Sequence, residues 1–575
     1  MRDRVSRLSI CRARAITGMN EISEKRGDMG DAARVPVLIV GAGPVGLALA
    51  GDLGWRGIAC VVVEQTDGSI YQPRQDLVGI RTMEFCRRWG LVGDVERSDY
   101  PRDYPQDNAY IAGSLVQGWE IGRFAAPSMD DERPPPQSPQ KRERCPQNMF
   151  DPILRKFASG YDSVDLRYRH RFIGLEQTED GVSAEIEDLD ADRRITVTAD
   201  YLVACDGASS FVRGTFGIDM IGNPALTYTT NTIFRFDGLE ALHDKRPGYR
   251  FIFLGPDGVW ATLVAINGRD QWRMSIVRSG DRQGEMTEDE VRDAIAKVVG
   301  VAFDYEILSI LPWTRRELVA ERYRAGRVFL AGDAAHAMSP TGGFGMNTGV
   351  GDIVDLSWKL DAVLGGWGGK GLLDSYGVER RPVAVRAVTE ASGNLGRMLS
   401  PGKTAHLLDD TEDGAGLRRQ VGDRLAQAML REWNTLGMHL GYRYDPSPIC
   451  VPDGSAAPPD DPGDYIQCAR PGSRAPHVWL DDGRSTLDLF GRTFVLLCLG
   501  ADVPDTAPLA EAARRCGMPL EIVKLGEPAL RAAYERPLVL VRPDGHVAWR
   551  GDAPPADPEA IIDTVRGART AKEAT

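Results

Sequence analysis

The run VLIVGAGPVGLALA, residues 37–50, constrains the fold of this 575-residue chain more than any other segment. Residues 37–40 are apolar and rich in β-branched side chains, as in a buried parallel strand, and a helix-compatible stretch follows the glycine turn. Residues 59–63 form a second apolar strand, which is followed by Glu64. This order of strand, glycine turn, helix, strand and acidic residue predicts a Rossmann-like unit that binds a dinucleotide.

The glycines of the turn have separate roles in such a unit. Gly41 permits the tight turn, Gly43 lets the backbone approach a pyrophosphate, and Gly46 lets the helix pack closely on the strand. The N-terminal amides of the helix point at the phosphates, and Glu64 can accept hydrogen bonds from ribose hydroxyls. The contacts expected from this first motif are Gly41, Gly43, Pro44, Val45, Gly46, Glu64 and Gln65.

Two later motifs decide which dinucleotide is bound. CDGASSFVR spans residues 205–213, and GDAAHAMSPTGGFGMNTG spans residues 332–349 after an apolar strand at 328–331. The pattern GDAAH…P…GFGMN…D…WKL resembles the FAD-dependent aromatic hydroxylases of the p-hydroxybenzoate hydroxylase and phenol hydroxylase type, which are group A flavoprotein monooxygenases. The resemblance covers roughly residues 35–400 and implies FAD as the cofactor.

The resemblance also implies further FAD contacts. Asp333 would bind a ribityl hydroxyl, and the Asp206-Gly207 pair, followed by Ser210 and Arg213, would touch FAD. Arg74 lies in a segment similar to the one that passes beside the flavin, and Gln147 resembles the glutamine that contacts FAD. The contacts expected from these segments are Arg74, Gln147, Asp206, Gly207, Arg213, Gly332, Asp333, Pro340, Gly343, Gly345, Met346 and Asn347.

The helix after Asn347 departs from the family pattern. The family often has Gln-Asp and then Asn-Leu before Trp-Lys-Leu, whereas this chain has Gly351-Asp352 and Asp355-Leu356. FAD binding is still predicted despite this departure. The residues of this helix that contact the flavin ring are left open.

The chemistry is implied by the same resemblance. NADH or NADPH would reduce the flavin, O2 would form a C4a-hydroperoxide, and a phenol would be hydroxylated ortho or para to its own hydroxyl. A phenol has a pKa near 10, so a group that draws off its proton makes the ring a better nucleophile. The candidate is Asp76, whose pKa burial would raise; the alternative is a turn or ion-pair residue near Arg74.

The motif at residues 332–349 contains two further residues that bear on catalysis, Pro340 and His336. Pro340 matches the family proline whose backbone carbonyl lies near the reacting hydroxyl, and we take it as a second catalytic candidate. We expect His336 to pack beneath the flavin or cap a turn instead of reacting.

Residues 216–312 predict an antiparallel β-sheet. Strands are expected at 229–236, 250–254, 259–266 and 271–277, followed by a helix with a capping box of Thr287 and Glu290. In the family, such a sheet covers the active site and the aromatic substrate lies between it and the flavin. Trp260 and Trp272 are therefore candidates for the substrate pocket, with core packing as the alternative.

The chain changes character after residue 400. Residues 401–445 are helical, residues 446–463 form a Pro-, Asp- and Gly-rich linker, and residues 464–575 predict a thioredoxin-like domain. Pro537 stands where that fold often has a cis proline. Because the place of the paired cysteines reads GADVPDTAP, we expect a redox-inert domain that packs or dimerises.

The predicted fold is therefore α/β. A Rossmann-like FAD-binding domain is built from residues 34–215 and 313–400, an antiparallel β-sheet substrate domain (216–312) is inserted in it, and the thioredoxin-like domain follows. Residues 1–33 read as a disordered extension, within which Met29 would make a natural start.

Composition excludes several classes of protein. The net charge of −13 and the lack of a basic stripe with interleaved aromatics argue against a nucleic-acid partner. Nine scattered cysteines without CxxC or zinc spacing predict free thiols, no metal and a cytoplasmic location. Asp52 and Arg56 follow the first apolar run too soon for a membrane span.

The expected ligands are a phenolic or polycyclic aromatic substrate and O2, and a homodimer is the family expectation. Two alternatives remain open within the enzyme class: a polyketide-tailoring hydroxylase and a Baeyer–Villiger-type oxygenase acting on a polycyclic aromatic. The remaining alternative is a non-catalytic flavin-binding protein.

Overall fold

The structure is a computed structural model that describes residues 34–278 and 286–569, so the expected extension at residues 1–33 lies outside it. In chain order the strands are β1 (Arg34–Val40), β2 (Cys60–Glu64), β3 (Leu77–Val78), β4 (Asn108–Ala112), β5 (Trp119–Phe124), β6 (Glu143–Arg144), β7 (Val164–Tyr168), β8 (His170–Gln177), β9 (Val182–Asp188), β10 (Arg193–Ala204), β11 (Met220–Arg235), β12 (Arg250–Gly255), β13 (Gly258–Ala265), β14 (Gln271–Arg278), β15 (Glu306–Ala320), β16 (Arg324–Ala325), β17 (Val328–Leu330), β18 (His336–Ala337), β19 (Phe494–Leu499), β20 (Leu520–Leu525), β21 (Leu538–Val541) and β22 (Val547–Gly551).

The helices are numbered in the same way. They are α1 (Pro44–Arg56), α2 (Ile80–Trp89), α3 (Val92–Glu96), α4 (Gln147–Ser159), α5 (Phe211–Thr215), α6 (Glu288–Val299), α7 (Phe344–Leu364), α8 (Ser375–Leu399), α9 (Glu412–Trp433), α10 (Leu436–Leu440), α11 (Ala507–Arg515), α12 (Pro528–Tyr534) and α13 (Pro558–Val565).

The first sheet is the Rossmann-like unit that the glycine motif predicts. Its strand order is β16-β17-β10-β1-β2-β7, with β8 and β9 paired beside β10. β1 runs parallel to β2 and β10, and Val37, Leu38 and Ile39 are fully buried because helices cover both faces. The carboxyl ends of β1, β10 and β17 therefore lie side by side, and the three sequence motifs begin there.

The second sheet has the order β18-β15-β11-β14-β13-β12-β4-β5. The predicted meander is present, and the capping box of Thr287 and Glu290 opens α6. α6 packs Val291, Ile295 and Val298 against one face of the sheet. β4 and β5, which the sequence did not reveal as part of this sheet, extend it, and β4 pairs parallel with β12.

The C-terminal sheet has the order β20-β19-β21-β22. β19 is parallel to β20 and antiparallel to β21, as expected for a thioredoxin-like fold. Cys498, inside β19, and Cys516, after α11, are both free thiols. The peptide bond before Pro537 is not cis, in contrast to the proline of many such folds.

A buried ionic cluster joins the C-terminal sheet to helices α7 and α8. Arg542, which follows β21, contacts Asp355 at 2.9 Å, Glu379 at 2.5 Å and Asp544 at 2.7 Å. Lys359 contacts Asp355 and Glu379 from the other side, at 2.7 and 2.6 Å. Asp355 is one of the residues that depart from the family pattern, and it serves this cluster.

Candidate active site

A cleft of about 900 Å³ lies between the carboxyl ends of the first sheet and the face of the second sheet that is turned away from α6. The ends of β1, β2, β10 and β17 contribute one side, and β11, β13, β14 and β15 contribute the other. Of the expected FAD contacts, those that line this cleft are Gly41, Gly43, Pro44, Val45, Glu64, Gln65, Arg74, Gln147, Asp206, Gly207, Asp333, Pro340, Gly343, Gly345 and Met346.

The glycine turn has the geometry that a pyrophosphate needs. Gly41 has φ +101°, and a Cβ there would lie 2.4 Å from the Cys205 carbonyl oxygen. A Cβ on Gly46 would lie 2.0 Å from the Gly41 carbonyl oxygen, so this glycine permits the close packing of α1 on β1. A Cβ on Gly43 would meet no atom within 4 Å, which leaves open space at the N-terminus of α1 for a phosphate group.

Glu64 closes the same end of the cleft. Its Oε2 accepts a hydrogen bond of 3.0 Å from the Ala42 amide, and its Oε1 accepts two of 2.9 Å from Thr66. The carboxylate is thereby fixed, and its remaining lone pairs are available to ribose hydroxyls.

Two acidic side chains, Asp206 and Asp333, line the cleft, and burial acts on the pKa of both. Asp206 Oδ2 accepts a hydrogen bond of 3.1 Å from the Val212 amide, but its Oδ1 is buried without a partner among the described residues. Burial raises the pKa of Asp206, and it raises the pKa of Asp333 against the opposing charges of His336 and Arg74. Both acids therefore fit a ligand that brings hydroxyl donors, as the ribityl chain of FAD does.

Four expected FAD contacts do not line the cleft, namely Gly46, Arg213, Gly332 and Asn347. The Arg213 guanidinium donates to the carbonyl oxygens of Ala208 and Ala334, which joins two of the motifs. The Gly332 amide donates to Asp352 at 3.2 Å. These residues hold the walls of the cleft in place, and their direct contact with FAD stays a prediction.

The Asn347 side chain shows this wall-holding role most clearly. Its Oδ1 accepts hydrogen bonds from the Gly79 amide at 2.8 Å and from the Thr82 hydroxyl at 2.7 Å. Its Nδ2 donates to the carbonyl oxygens of Leu77 and Gly343. All four bonds are internal, so the side chain ties the start of α7 to the segment before α2.

Asp76 lies in the cleft but differs from the expectation. It accepts a hydrogen bond of 2.7 Å from Arg144, lies 3.6 Å from Arg273, and accepts a further hydrogen bond from the Tyr249 hydroxyl. Burial acts to raise the pKa of Asp76, but Arg144, Arg273 and the Tyr249 hydrogen bond outweigh it and lower the pKa. The predicted raised pKa is therefore wrong, and Asp76 is an ionised carboxylate whose ion-pair partner is Arg144.

The two tryptophans expected in the substrate pocket face away from it. Trp272 lies on β14, where Arg273 and Ser275 line the cleft, so the alternation of a strand turns Trp272 towards α6. It is 2% exposed and donates to the Phe236 carbonyl oxygen at 3.2 Å. The core-packing alternative is the one that the structure supports here.

Trp260 should share the cleft-facing side of β13 with Thr262 and Val264, but a bulge intervenes. Phe253 pairs with Ala261 and Leu254 with Val259, which makes Trp260 the extra residue. Its ring packs against Phe253, and the Lys297 amine lies 4.2 Å from the ring centroid. The bulge turns the side chain towards α6.

His336 is also outside the cleft. Its Nε2 lies 2.8 Å from Asp352 Oδ2, and Asp352 in turn accepts a hydrogen bond of 2.9 Å from Arg380. The histidine is fully buried behind the wall of the cleft.

Several functional candidates were missed by the sequence. They line the side of the cleft that faces the second sheet, and they come from separate strands, from the residues just before β6 and β12 and from the end of α9: Arg142, Arg144, Thr229, Asn231, Tyr249, Arg250, Thr262, Arg273, Ser275, Ser309, Trp313, Arg315, Glu432 and Trp433. The signal available was the alternation of small polar residues on β11 and β14, such as Thr229 with Asn231.

The comparisons with known proteins agree with this site. Residues 34–391 match the model of the FAD binding domain family, and residues 469–568 match the model of the C-terminal domain of aromatic-ring hydroxylases. The chain belongs to the FAD-dependent aromatic-ring hydroxylases. The hydroxylase is a flavin-dependent monooxygenase, as the sequence predicted.

Relatives match along almost the whole chain. The hydroxylase is 33% identical to a putative polyketide hydroxylase of Streptomyces halstedii, over 93% of this chain and 96% of that protein. It is 33% identical to 4-methyl-5-nitrocatechol 5-monooxygenase of a Burkholderia species, over 92% and 96%. Among solved structures, the rebeccamycin biosynthetic enzyme RebC with reduced flavin is 41% identical, covers 93% of this chain and 99% of its own, and superposes with a TM-score of 0.86.

Two further properties of the described residues bear on the class of protein. No helix in residues 34–278 or 286–569 is both long and apolar enough to cross a membrane. Within the same ranges, His, Cys, Asp and Glu form no group of three or more that is placed to hold a metal ion.

Proposed function

We propose that the hydroxylase uses NADH or NADPH and O2 to hydroxylate a phenolic ring that lies in the cleft between FAD and the second sheet. The observation that carries the proposal is the continuity of the cleft, which joins the glycine turn and the acids Asp206 and Asp333 to a polar sheet face. FAD, when bound, accepts the reducing equivalents and activates O2. The protein binds, orients and shields the reactants.

The Tyr249–Asp76 pair is the part of the cleft suited to a phenolic hydroxyl. Burial and the neighbouring Asp76 raise the pKa of Tyr249, so its hydroxyl stays protonated and donates to Asp76. Tyr249 Oη can then accept a hydrogen bond from the phenolic hydroxyl of the substrate. Such a hydrogen bond increases electron density on the substrate ring, and Arg144 keeps Asp76 in the accepting, ionised form.

The sheet face suits a flat substrate. Thr229, Asn231, Thr262 and Ser275 present short side chains to the cleft, which leaves an even wall for one or more fused rings. A polycyclic phenol is therefore the second candidate substrate, and the match to a putative polyketide hydroxylase supports it. We also retain the cytoplasmic location and the homodimer as proposals.

The test is NADH and NADPH oxidation under air by the purified yellow protein, with and without a panel of mono- and polycyclic phenols, with products weighed by mass spectrometry. We expect one compound to stimulate oxidation and to gain one oxygen atom. Stimulation that yields only H2O2 would mark a non-substrate effector. Failure of every phenol to stimulate oxidation, with FAD bound, would contradict phenol hydroxylation.

A further inference from the structure

Arg474 connects the C-terminal domain to the wall of the cleft. It is 1% exposed and lies within residues 469–568, which match the C-terminal domain family. The residues before and after it are both hydrogen-bonded to the hairpin of β21 and β22, at 2.9 Å. The guanidinium therefore projects from a backbone that the C-terminal sheet holds in place.

The guanidinium contacts two segments of the FAD-binding domain at once. Its Nε donates to Glu84 on α2 at 3.1 Å, and its Nη2 donates to the other oxygen of the same carboxylate. Nη2 also donates to the Gln137 carbonyl oxygen at 3.1 Å. The Ser138 hydroxyl donates to Glu84 at 2.6 Å, so α2 and residues 137–138 meet at one carboxylate.

Glu84 is an ionised acid inside this contact. It is 6% exposed, and Arg81, also on α2, donates to it at 2.7 Å. Burial acts to raise the pKa of Glu84, but Arg474 and Arg81 outweigh it and lower the pKa to about 2. Arg81 also donates to the Asp544 carbonyl oxygen at 3.0 Å, in the turn between β21 and β22. The C-terminal domain thus holds α2 at two points.

The two segments that meet at Arg474 continue into the cleft. α2 follows β3, residues 137–138 precede β6, and β3 pairs with β6. Asp76 comes immediately before β3, Arg144 ends β6, and the two form the ion pair of the cleft. The Cys145 amide donates to the Asp76 carbonyl oxygen at 2.9 Å. A shift of either segment would therefore move Asp76 or Arg144 relative to Tyr249.

Arg474 itself does not line the cleft. Loss of one partner of a buried ion pair leaves the other charge uncompensated, so the position of α2 depends on this contact. We propose that Arg474 is a positioning residue, which from the C-terminal domain keeps Asp76 and Arg144 in the arrangement that accepts the Tyr249 hydrogen bond. The role of that arrangement in the reaction rests on the proposed function, whereas the contact of Arg474 with the two segments does not depend on turnover.

The first measurement is amide hydrogen exchange of the FAD-loaded enzyme, followed by mass spectrometry of peptides that contain residues 74–79 and 142–147. Arg474→Met removes the guanidinium and should speed exchange in both peptides on the order of tenfold, because exchange reports the free energy of local opening. Arg474→Lys keeps the charge without the two-point contact and should give a smaller increase. FAD content reports whether each variant is folded.

The matched control is a second buried arginine of the same domain. Arg550 is 5% exposed and pairs with Asp453 at 2.6 Å and with Glu535 at 2.8 Å, outside α2 and residues 137–138. Arg550→Met should lower the thermal unfolding midpoint, as Arg474→Met does. It should leave exchange in the two peptides unchanged.

The second measurement is the yield of hydroxylated product per NAD(P)H oxidised, with a phenol that the unchanged enzyme hydroxylates. Arg474→Met should lower this yield by roughly tenfold, since a small displacement of a positioned group is costly to the reaction. The KM for NADH or NADPH should stay the same. Arg474→Lys should restore part of the yield, and Arg550→Met should keep all of it.

The outcomes separate this proposal from the hydroxylation. Unchanged exchange in Arg474→Met, equal acceleration in Arg550→Met, or an unchanged product yield would overturn the positioning role. Where the methionine variant does not retain FAD, Arg474→Lys decides by the same readouts. Faster exchange confined to the Arg474 variants, with no oxygenated product from any phenol and the unchanged enzyme, would leave the contact with the two segments standing and count against the hydroxylation.

Discussion

The Oδ1 atom of Asn347 lies 2.8 Å from the backbone nitrogen of Gly79, so the first turn of α7 holds the segment that leads into α2. The same side chain makes three further hydrogen bonds inside the protein. Residues 77–82 and the last motif, residues 332–349, are thereby clamped together beside the cleft.

We expect Asn347→Ala to retain FAD but to unfold several degrees lower, because four partly buried hydrogen bonds are worth about 2–4 kcal/mol together. Thr82→Val removes a single one of these bonds and should produce a smaller drop. The measurement is the thermal unfolding midpoint with FAD content. A variant that is as stable as the unchanged protein yet loses FAD would support instead the direct contact with FAD that the sequence predicts.

Two alanine substitutions in the glycine turn should behave differently. Gly43→Ala places a methyl group in open space where the pyrophosphate would lie, so FAD affinity should fall about tenfold or more while the FAD-free protein keeps its stability. Gly46→Ala forces α1 away from β1 and should lower both the FAD affinity and the stability of the FAD-free protein. Fluorescence titration with FAD measures the affinity, and thermal unfolding of the FAD-free protein measures the stability. Equal FAD affinity in Gly43→Ala would be evidence against the phosphate position.

Asp76→Asn should leave FAD in place and lower the yield of hydroxylated product per NAD(P)H oxidised, by roughly tenfold or more. The reason is that the amide is a weaker acceptor for the Tyr249 hydroxyl and leaves Arg144 without its counter-charge. Tyr249→Phe keeps the ion pair and removes only the hydroxyl, and it should show a similar loss. Full coupling in both variants would remove this pair from the mechanism.

The tryptophan positions provide a test of which face of the second sheet meets the substrate. Trp272→Phe should cost about 1–3 kcal/mol of stability because the ring is buried against α6, and should leave KM unchanged. Ser275→Leu, on the same strand but facing the cleft, should raise KM with little effect on stability. A raised KM in Trp272→Phe together with an unchanged KM in Ser275→Leu would mean that the opposite face of β14 meets the substrate.

Asp151 makes stability depend on pH. Burial raises its pKa to about 7, against the opposing effects of Gln147 and Arg155. The folded protein therefore binds a proton that the unfolded chain has already released, and stability falls as pH rises from about 4 to above 7, by up to about 4 kcal/mol. Asp151→Asn should stabilise the protein at about pH 8.5 and have little effect near pH 4. Equal pH profiles of the unfolding midpoint would contradict this assignment.

The local signals in the sequence were sufficient for the first sheet and the glycine turn. Gly41, Gly43 and Gly46 act through their own backbone, and the strand that precedes them is apolar on both faces. Both features can therefore be predicted from residues that are neighbours in the sequence. Asp206 and Asp333 were reached through the family resemblance, and they do face the cleft.

The substrate side could not be predicted in the same way. Arg144, Tyr249 and Arg315 are brought together by strands far apart in the chain, and no local pattern marks them. The pKa of Asp76 was misjudged because its ion-pair partner, Arg144, lies 68 residues away. Trp260 was misplaced because a single bulged residue reverses the side of the strand on which it lies.

The cluster around Arg542 has a consequence for the modularity of the molecule. Asp355 and Glu379 belong to the cofactor-binding half, yet both contact the Arg542 guanidinium of the C-terminal domain. A fragment cut after α10 would leave two buried acids facing Lys359 alone, so we expect it not to fold as an independent unit. For the same reason, we expect a C-terminal sheet from another protein to replace this one only if it supplies a guanidinium at the position of Arg542.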